Sequence, residues 1–126
     1  MADLIVKQSA GRGRGVFAAR WFRVGEVIEV CPVIALSSAD VAKIDDTPLY
    51  NYYFGWGAEN RGAAIALGFG SLYNHSYAPN AAYRKNETDS TISFIAVKPI
   101  APEDEILVKY NFGETGNCGR LWFDVK

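Results

Sequence analysis

A short polar segment near the middle of the chain carries residue types suited to chemistry. It reads Asn74-His75-Ser76 and contains the only histidine of the sequence. An asparagine amide offers both a donor and an acceptor, so Asn74 could bind a ligand that carries an amine and a carbonyl together. His75 has no serine, cysteine or acidic partner at a known catalytic spacing, which favours a hydrogen-bonded structural role over that of a base.

A glycine-rich segment near the N-terminus could also bind a ligand. Gly11, Gly13 and Gly15 alternate with Arg12 and Arg14. Glycines allow the backbone to approach a ligand closely, and successive backbone amides can line a site for a carboxylate or phosphate. The same pattern is typical of a flexible hairpin turn, and the segment alone favours that turn.

An acidic turn precedes an apolar run near the C-terminus, and the run ends on Tyr110. Glu103, Asp104 and Glu105 come just before this run. On its own the pattern indicates a solvated turn that leads into a core strand with Tyr110 packed at its end.

The composition indicates one folded domain spanning residues 1–126. A chain of 126 residues with 49% hydrophobic residues can bury one modest core. The net charge of −1 argues against the broad basic face of a nucleic-acid-binding protein. We predict that Cys31 and Cys118 are reduced, and we expect neither a signal peptide nor a membrane span. A cytoplasmic location is therefore expected.

Short apolar runs separated by Gly, Pro, Asn and Asp dominate the chain, which predicts a mainly β fold with few short helices. We expect the first three strands to form a meander and Ser37 or Ser38 to cap a short helix that runs to Lys43. Segment 61–69 is compatible with either a strand or a short helix. The predicted strands are 4–7, 16–22, 27–36, 49–56, 81–85, 91–97 and 105–110, with a hairpin between 81–85 and 91–97.

Together, the three segments resemble the SET-domain family of protein-lysine methyltransferases. The family pattern is a glycine-rich turn ending in Gly-Val-Phe-Ala, an Asn-His-Ser segment with a following Pro-Asn, and a Glu-Leu segment whose strand ends on Tyr. Here these motifs lie at 13–18, 74–80 and 105–110. The resemblance covers residues 5–112 and is strongest to minimal viral and bacterial SET proteins. It implies small curved β-sheets of the β-clip type with a C-terminal pseudoknot.

The resemblance also implies a cofactor and a set of site residues. The expected cofactor is S-adenosyl-L-methionine, with S-adenosylhomocysteine as product, and the expected reaction methylates the ε-amine of a lysine in a protein such as a histone. Tyr110 would be the catalytic tyrosine, with Tyr83 and Tyr73 as further catalytic candidates. The implied cofactor-binding residues are Arg12, Gly13, Arg14, Gly15, Tyr73, Asn74, His75, Tyr110 and Trp122.

Aromatic residues near the middle of the chain have two interpretations. They can wall a lysine channel or pack in the core, and for each of them packing is favoured. These residues are Tyr52, Tyr53, Phe54 and Trp56.

Two departures from the family pattern affect the expected site. Val108 stands two residues before Tyr110, where many members carry Phe or Tyr beside the lysine amine, so the number of methyl groups transferred is left open. Many members also carry a zinc-binding cysteine after Asn-His-Ser, but Tyr77 occupies that place. We therefore predict no structural metal, because tetrahedral zinc needs four ligands. We expect Trp122 or Phe123, in the tail 113–126, to close the channel instead.

The expected partner is an extended lysine-containing protein or peptide substrate, bound beside an edge strand. Direct nucleic-acid and membrane binding are not expected, and a homodimer is compatible with the small size of the chain. If the target is a host protein, the host cell or nucleus becomes the expected location. The competing interpretation is a SET-fold module that binds peptide or cofactor without turnover.

Overall fold

The computed structural model describes residues 3–11 and 13–109, apart from the side chains of Asn51 and Asn60. The strands are β1 (Leu4–Ser9), β2 (Gly13–Ala18), β3 (Val27–Leu36), β4 (Phe54–Trp56), β5 (Gly62–Ala66), β6 (Asn74–His75), β7 (Ala81–Asn86), β8 (Thr91–Ala96) and β9 (Leu107–Val108). One α-helix, α1 (Ser38–Ile44), and three 3₁₀ helices at Pro48–Asn51, Ala58–Asn60 and Gly70–Leu72 complete this part of the chain. The predicted mainly β fold is confirmed. The helices in the described ranges are all too short or too polar to span a lipid bilayer.

The main sheet has five antiparallel strands in the order β4-β5-β3-β8-β7. β1 and β2 form a separate hairpin, and β6 and β9 form a short parallel pair. The predicted meander of the first three strands is wrong, because β3 pairs with β5 and β8 rather than with β2. The long apolar strand β3 takes the central position, where partners on both edges satisfy its backbone groups.

Several predicted elements are confirmed where the local signal is strong. The long strand over 27–36 forms as predicted, and so does the hairpin of β7 and β8. The short helix begins after Ser37, whose side chain accepts a hydrogen bond from the Asp40 amide at 3.2 Å. Segment 61–69 contains a strand, β5, so the ambiguity there is resolved in favour of β structure.

Other predicted strands differ in extent. Within 49–56 only β4 is a strand, because Thr47 Oγ1 accepts from the Leu49 amide at 3.2 Å and starts a 3₁₀ helix at Pro48. The strand expected over 16–22 begins earlier, at Gly13, and ends at Ala18. The strand expected over 105–110 is reduced to β9 in the described part of the chain.

An aromatic cluster of Phe54, Tyr73, Tyr83 and Phe94 forms the centre of the core. Phe94 is fully buried, and its ring stacks on Tyr73 with the ring centroids 4.3 Å apart. Phe54 and Tyr83 each place a ring 6.2 Å from the Phe94 centroid. Since Tyr73 immediately precedes β6, this cluster joins the main sheet to the parallel pair.

We predict that Phe94→Ala lowers the free energy of unfolding by about 3–5 kcal/mol, because it removes the ring against which the other three aromatic side chains pack. Urea denaturation measures the loss. Val24→Ala is the control, since Val24 is 61% exposed and its truncation should cost less than about 0.5 kcal/mol. Similar losses in the two variants would show that the cluster does not support the fold.

Candidate functional site

The glycine-rich strand, the Asn-His-Ser segment and the acidic turn meet around the carboxylate of Glu105. Its Oε1 accepts a hydrogen bond from Ser9 Oγ at 2.6 Å, and its Oε2 accepts one from Asn74 Nδ2 at 2.8 Å. The same Asn74 nitrogen donates to the backbone carbonyl of Arg14 at 3.1 Å. One acidic side chain therefore connects the β1–β2 hairpin to β6.

Gly15 is required by the closeness of this contact. A Cβ at this position would contact the Glu105 carboxylate and would lie 2.7 Å from Asn74 Nδ2. Gly13 has a different reason for being glycine, since its φ of +73° is in the left-handed region. The register pairs Gly13 with Ser9 and Gly15 with Lys7, so these glycines belong to a strand. The turn expected over 11–15 lies between Ser9 and Gly13.

Backbone pairing places the acidic turn beside the glycine-rich strand. Glu105 forms an isolated antiparallel bridge with Phe17, and the amide of Ile106 donates to the carbonyl of Val16 at 2.8 Å. The chain then runs directly into β9, which pairs with β6. The acidic turn is thus fixed by the core strands on both sides of it.

Asn80 completes the short parallel pair. Its Nδ2 donates to the Glu105 carbonyl at 2.9 Å, and its Oδ1 accepts from the Leu107 amide at 2.8 Å. The side-chain amide thus acts as an additional backbone partner for β9. This explains the position of the Pro-Asn pair after the Asn-His-Ser segment.

The orientation of the Asn74 amide follows from its partners. Both side-chain hydrogen bonds of Asn74 within the described residues use Nδ2, which lies between a backbone carbonyl and a carboxylate. Only a nitrogen donor satisfies both acceptors, so the alternative amide orientation is excluded. Within the described part of the chain, no hydrogen bond uses the Asn74 Oδ1 atom, which is an acceptor.

His75 lies inside the protein and has the geometry of a structural group. It is 2% exposed, pairs with Val108 in the parallel pair, and its ring contacts the Tyr77 ring edge-on with the centroids 4.7 Å apart. Burial lowers the His75 pKa, and the positive charge of Lys109 lowers it further. The imidazole is therefore neutral at pH 7.

Tyr73 and Tyr83 both belong to the aromatic cluster. Tyr73 is buried, and its hydroxyl donates to Glu29 Oε1 at 2.8 Å. Burial and the nearby Glu29 carboxylate raise the Tyr73 pKa, so the hydroxyl stays protonated. Tyr83 is half-buried, with its ring edge-on to Phe54 at 5.1 Å. These contacts favour a positioning role for Tyr73, and the catalytic assignment of both tyrosines stays a prediction.

The remaining aromatic candidates divide by exposure. Tyr53, Phe54 and Trp56 are buried, which agrees with the packing interpretation, whereas Tyr52 is 38% exposed.

Several predicted site residues lie outside the described residues, and their assignments stay predictions. They are Arg12, Tyr110, Trp122, Phe123, Cys118 and the rest of the tail 113–126. Within 3–11 and 13–109, no group of three or more His, Cys, Asp or Glu side chains could hold a metal ion.

The sequence interpretation missed three residues that shape the site: Ser9, Glu29 and Asn80. Each makes its contact with a residue at least 25 positions away. Two of them had a sequence signal: Glu29 is an acidic residue within the apolar strand 27–36, and Asn80 belongs to the Pro-Asn pair of the 74–80 motif, although no role was assigned to it. Ser9 ends β1 and no sequence pattern distinguishes it.

Comparison with known proteins connects this geometry to one family. A family model described as SET domain matches residues 13–111. The chain is 29% identical over 124 residues to a Schizosaccharomyces pombe histone-lysine N-methyltransferase specific for H3 lysine 37. The aligned region covers 98% of this chain and 78% of the relative.

Solved structures give the same picture. A Plasmodium falciparum protein provisionally assigned as a histone methyltransferase matches with a TM-score of 0.67 at 28% identity, covering 88% of this chain and 95% of that one. Polycomb Repressive Complex 2 of Chaetomium thermophilum, autoinhibited and bound to S-adenosylmethionine, matches with a TM-score of 0.74 at 19% identity. That match covers 93% of this chain and 16% of the other, and it shows the fold alone.

We predict that Gly15→Ala lowers the free energy of unfolding by about 1–3 kcal/mol, because the new methyl group must displace the Glu105 carboxylate or the Asn74 amide. Urea denaturation of the single variants and of the double variant Gly15→Ala, Glu105→Asp measures the coupling. The shorter aspartate withdraws the carboxylate, so Gly15→Ala should cost less in that background. Strictly additive losses would contradict the close contact.

We predict that stability falls as the pH drops below about 6.5, because His75 has a lowered pKa in the folded state and takes up a proton more readily when unfolded. This contribution is complete above pH 6.5 and changes by at most about 1.4 kcal/mol per pH unit, the limit for one proton. Denaturation between pH 7.5 and 5.5 measures it. His75→Gln should remove this dependence, and an equal slope in that variant would contradict the prediction.

Proposed function

Because the chain belongs to the SET-domain family, we propose that it is an S-adenosyl-L-methionine-dependent protein-lysine N-methyltransferase. The observation that carries the proposal is the arrangement of Asn74, whose Nδ2 is fixed between the Arg14 carbonyl and Glu105, so that a ligand could use its Oδ1 as an acceptor. The proposed substrate is a lysine of a protein such as a histone, the class for which the Schizosaccharomyces pombe relative is named.

The glycine strand and the Asn74-His75 segment would hold the cofactor together. The backbone of Gly13, Arg14 and Gly15 would contact its methionine part, next to Asn74 Oδ1, which can accept from the α-amino group. The Glu105 carboxylate lies next to the Gly15 backbone, and its negative charge favours a positively charged ligand on the glycine strand. The residues present therefore suit a ligand with an ammonium group and a sulfonium group.

When bound, the cofactor supplies a methyl group on a positively charged sulfur, and S-adenosylhomocysteine is the product. The work of the protein is to bring the lysine amine into line with that methyl group and to exclude water. The lysine must first lose a proton to water, and an apolar channel beside a positive charge lowers the pKa of its amine.

Tyrosine hydroxyls are the groups proposed to orient the lysine amine. Tyr110 would be the principal one, and in the sequence it stands two residues after Val108, the last residue of β9. Tyr83 is the supporting candidate, since its ring is fixed against Phe54 and its hydroxyl belongs to a half-buried side chain. Tyr73 would act indirectly, because its hydroxyl is hydrogen-bonded to Glu29.

Methyl transfer from labelled S-adenosylmethionine to histones and to whole-cell lysate proteins tests the proposal. We predict that label appears on lysine and that Tyr110→Phe lowers kcat by at least about 100-fold, because the amine loses its orienting hydroxyl. Asn74→Ala should instead raise the KM for the cofactor by about 10- to 100-fold, the value of a lost hydrogen bond to a charged group.

Tyr50→Phe is the matched control for removal of a hydroxyl, since Tyr50 contacts Tyr53 and is not among the residues proposed to bind the cofactor or the lysine. It should keep full turnover. Cofactor binding without turnover on any substrate would favour the non-catalytic module, and absence of cofactor binding by calorimetry would overturn the proposal.

A further inference from the structure

A second acidic side chain, Glu29, lies on the core-facing side of β3. It is the register partner of Phe94, the centre of the aromatic cluster. Glu29 is half-buried, and removing a carboxylate from water beside aromatic rings is costly unless its oxygens accept hydrogen bonds. Both oxygens do so here: Oε1 accepts from the Tyr73 hydroxyl at 2.8 Å, and Oε2 accepts from the Phe69 amide at 3.0 Å.

The segment that Glu29 binds is tightly shaped. Gly68 has a φ of +63°, and a Cβ there would contact Glu29 Oε2. A Cβ at Gly70 would lie 2.6 Å from Ala66 Cβ and 2.8 Å from Cys31 Sγ. The chain between β5 and β6 therefore packs directly onto β3, with Glu29 at the point of contact.

Ser71 fixes the other side of the same segment. Its hydroxyl accepts from the Ala66 amide and donates to the Ala66 carbonyl, each at 3.1 Å. The end of β5 is thus tied to the 3₁₀ helix Gly70–Leu72, which leads into Tyr73.

Tyr73 transmits this arrangement to the site. Its ring stacks on Phe94, and its hydroxyl is held by Glu29, so both ends of the side chain are fixed. Burial together with the Glu29 charge raises the Tyr73 pKa, which keeps the hydroxyl as a donor. Asn74 is the next residue, and its amide must reach both Arg14 and Glu105. A shift of Tyr73 therefore moves Asn74 relative to the glycine strand.

We propose that Glu29 is a positioning residue for cofactor binding: through Tyr73 and Phe69 it holds the Asn74-His75 strand at the distance from Gly15 that the ligand requires. This inference rests on the proposed function. Glu29 acts on the segment before the site and Glu105 on the site itself, so two carboxylates fix the strand from its two sides.

The test compares the steady-state kinetics of Glu29→Ala, Glu29→Gln and Tyr73→Phe as the cofactor concentration is varied. Each variant is assayed at a temperature below its melting temperature. Glu29→Ala loses both hydrogen bonds and should raise the KM for S-adenosylmethionine about 3- to 30-fold with little change in kcat. Glutamine can accept from the Phe69 amide and donate to the Tyr73 oxygen, so Glu29→Gln should restore the KM to within about threefold of wild type.

Glu26→Ala is the matched control. Glu26 is also a glutamate near the start of β3, but its carboxylate accepts from Arg20 and from the Arg23 amide, away from the site. Its replacement should lower stability without changing the KM. An equal rise of the KM in Glu26→Ala, or an unchanged KM in Glu29→Ala, would overturn the proposal.

Hydrogen exchange without cofactor separates this inference from the proposed function. In Glu29→Ala the Ser76 amide, which donates to the Val108 carbonyl at 2.9 Å, should exchange faster while amides of β8 keep their protection. If the wild-type chain shows no methyl transfer, the proposed function fails, and this local loss of protection still decides whether Glu29 positions the strand. Unchanged Ser76 exchange in Glu29→Ala would overturn the positioning role.

Discussion

The contact between the Glu105 carboxylate, the Asn74 amide and the bare backbone of Gly15 is the constraint on which the rest of the site depends. The hydrogen bond from Asn74 to Glu105 joins residues 31 positions apart in the sequence. The hydrogen bond from Ser9 to Glu105 joins residues 96 positions apart. A hydrogen bond to a carboxylate is stronger than one between neutral groups, but only where the partners are close. The missing side chain of Gly15 provides that closeness.

The site lies where three separate sheets meet. The β1–β2 hairpin supplies the glycine strand, and the β6–β9 pair supplies Asn74 and His75. The main sheet supports the pair through the aromatic cluster and shares one hydrophobic core with the hairpin. The parallel pair has only two residues in each strand, so its own ladder contributes little. Asn80 adds two hydrogen bonds to it, and Tyr73 anchors it to Phe94.

The sequence predicts the elements whose signals are local and fails where partners are distant. β3 and the β7–β8 hairpin follow from apolar alternation and a polar turn, and both form as predicted. The meander is wrong because pairing of β3 depends on β5 and β8, far along the chain. For the site, the motifs identify Gly15 and Asn74, whereas the contact of Glu29 with Tyr73 spans 44 positions and no local pattern encodes it.

The parallel direction of β6 and β9 also constrains how the protein acquires its fold. Parallel neighbours cannot be joined by a tight turn, so the intervening chain must double back before His75 can meet Val108. The loop-closure entropy of these pairings must be overcome before any contact compensates for it, which implies slow folding relative to a helical domain of equal size. On the ribosome, a nascent chain that ends before residue 105 has no Glu105 to join Ser9 and Asn74. The contact on which the site depends therefore forms only after every strand of the main sheet has been synthesised.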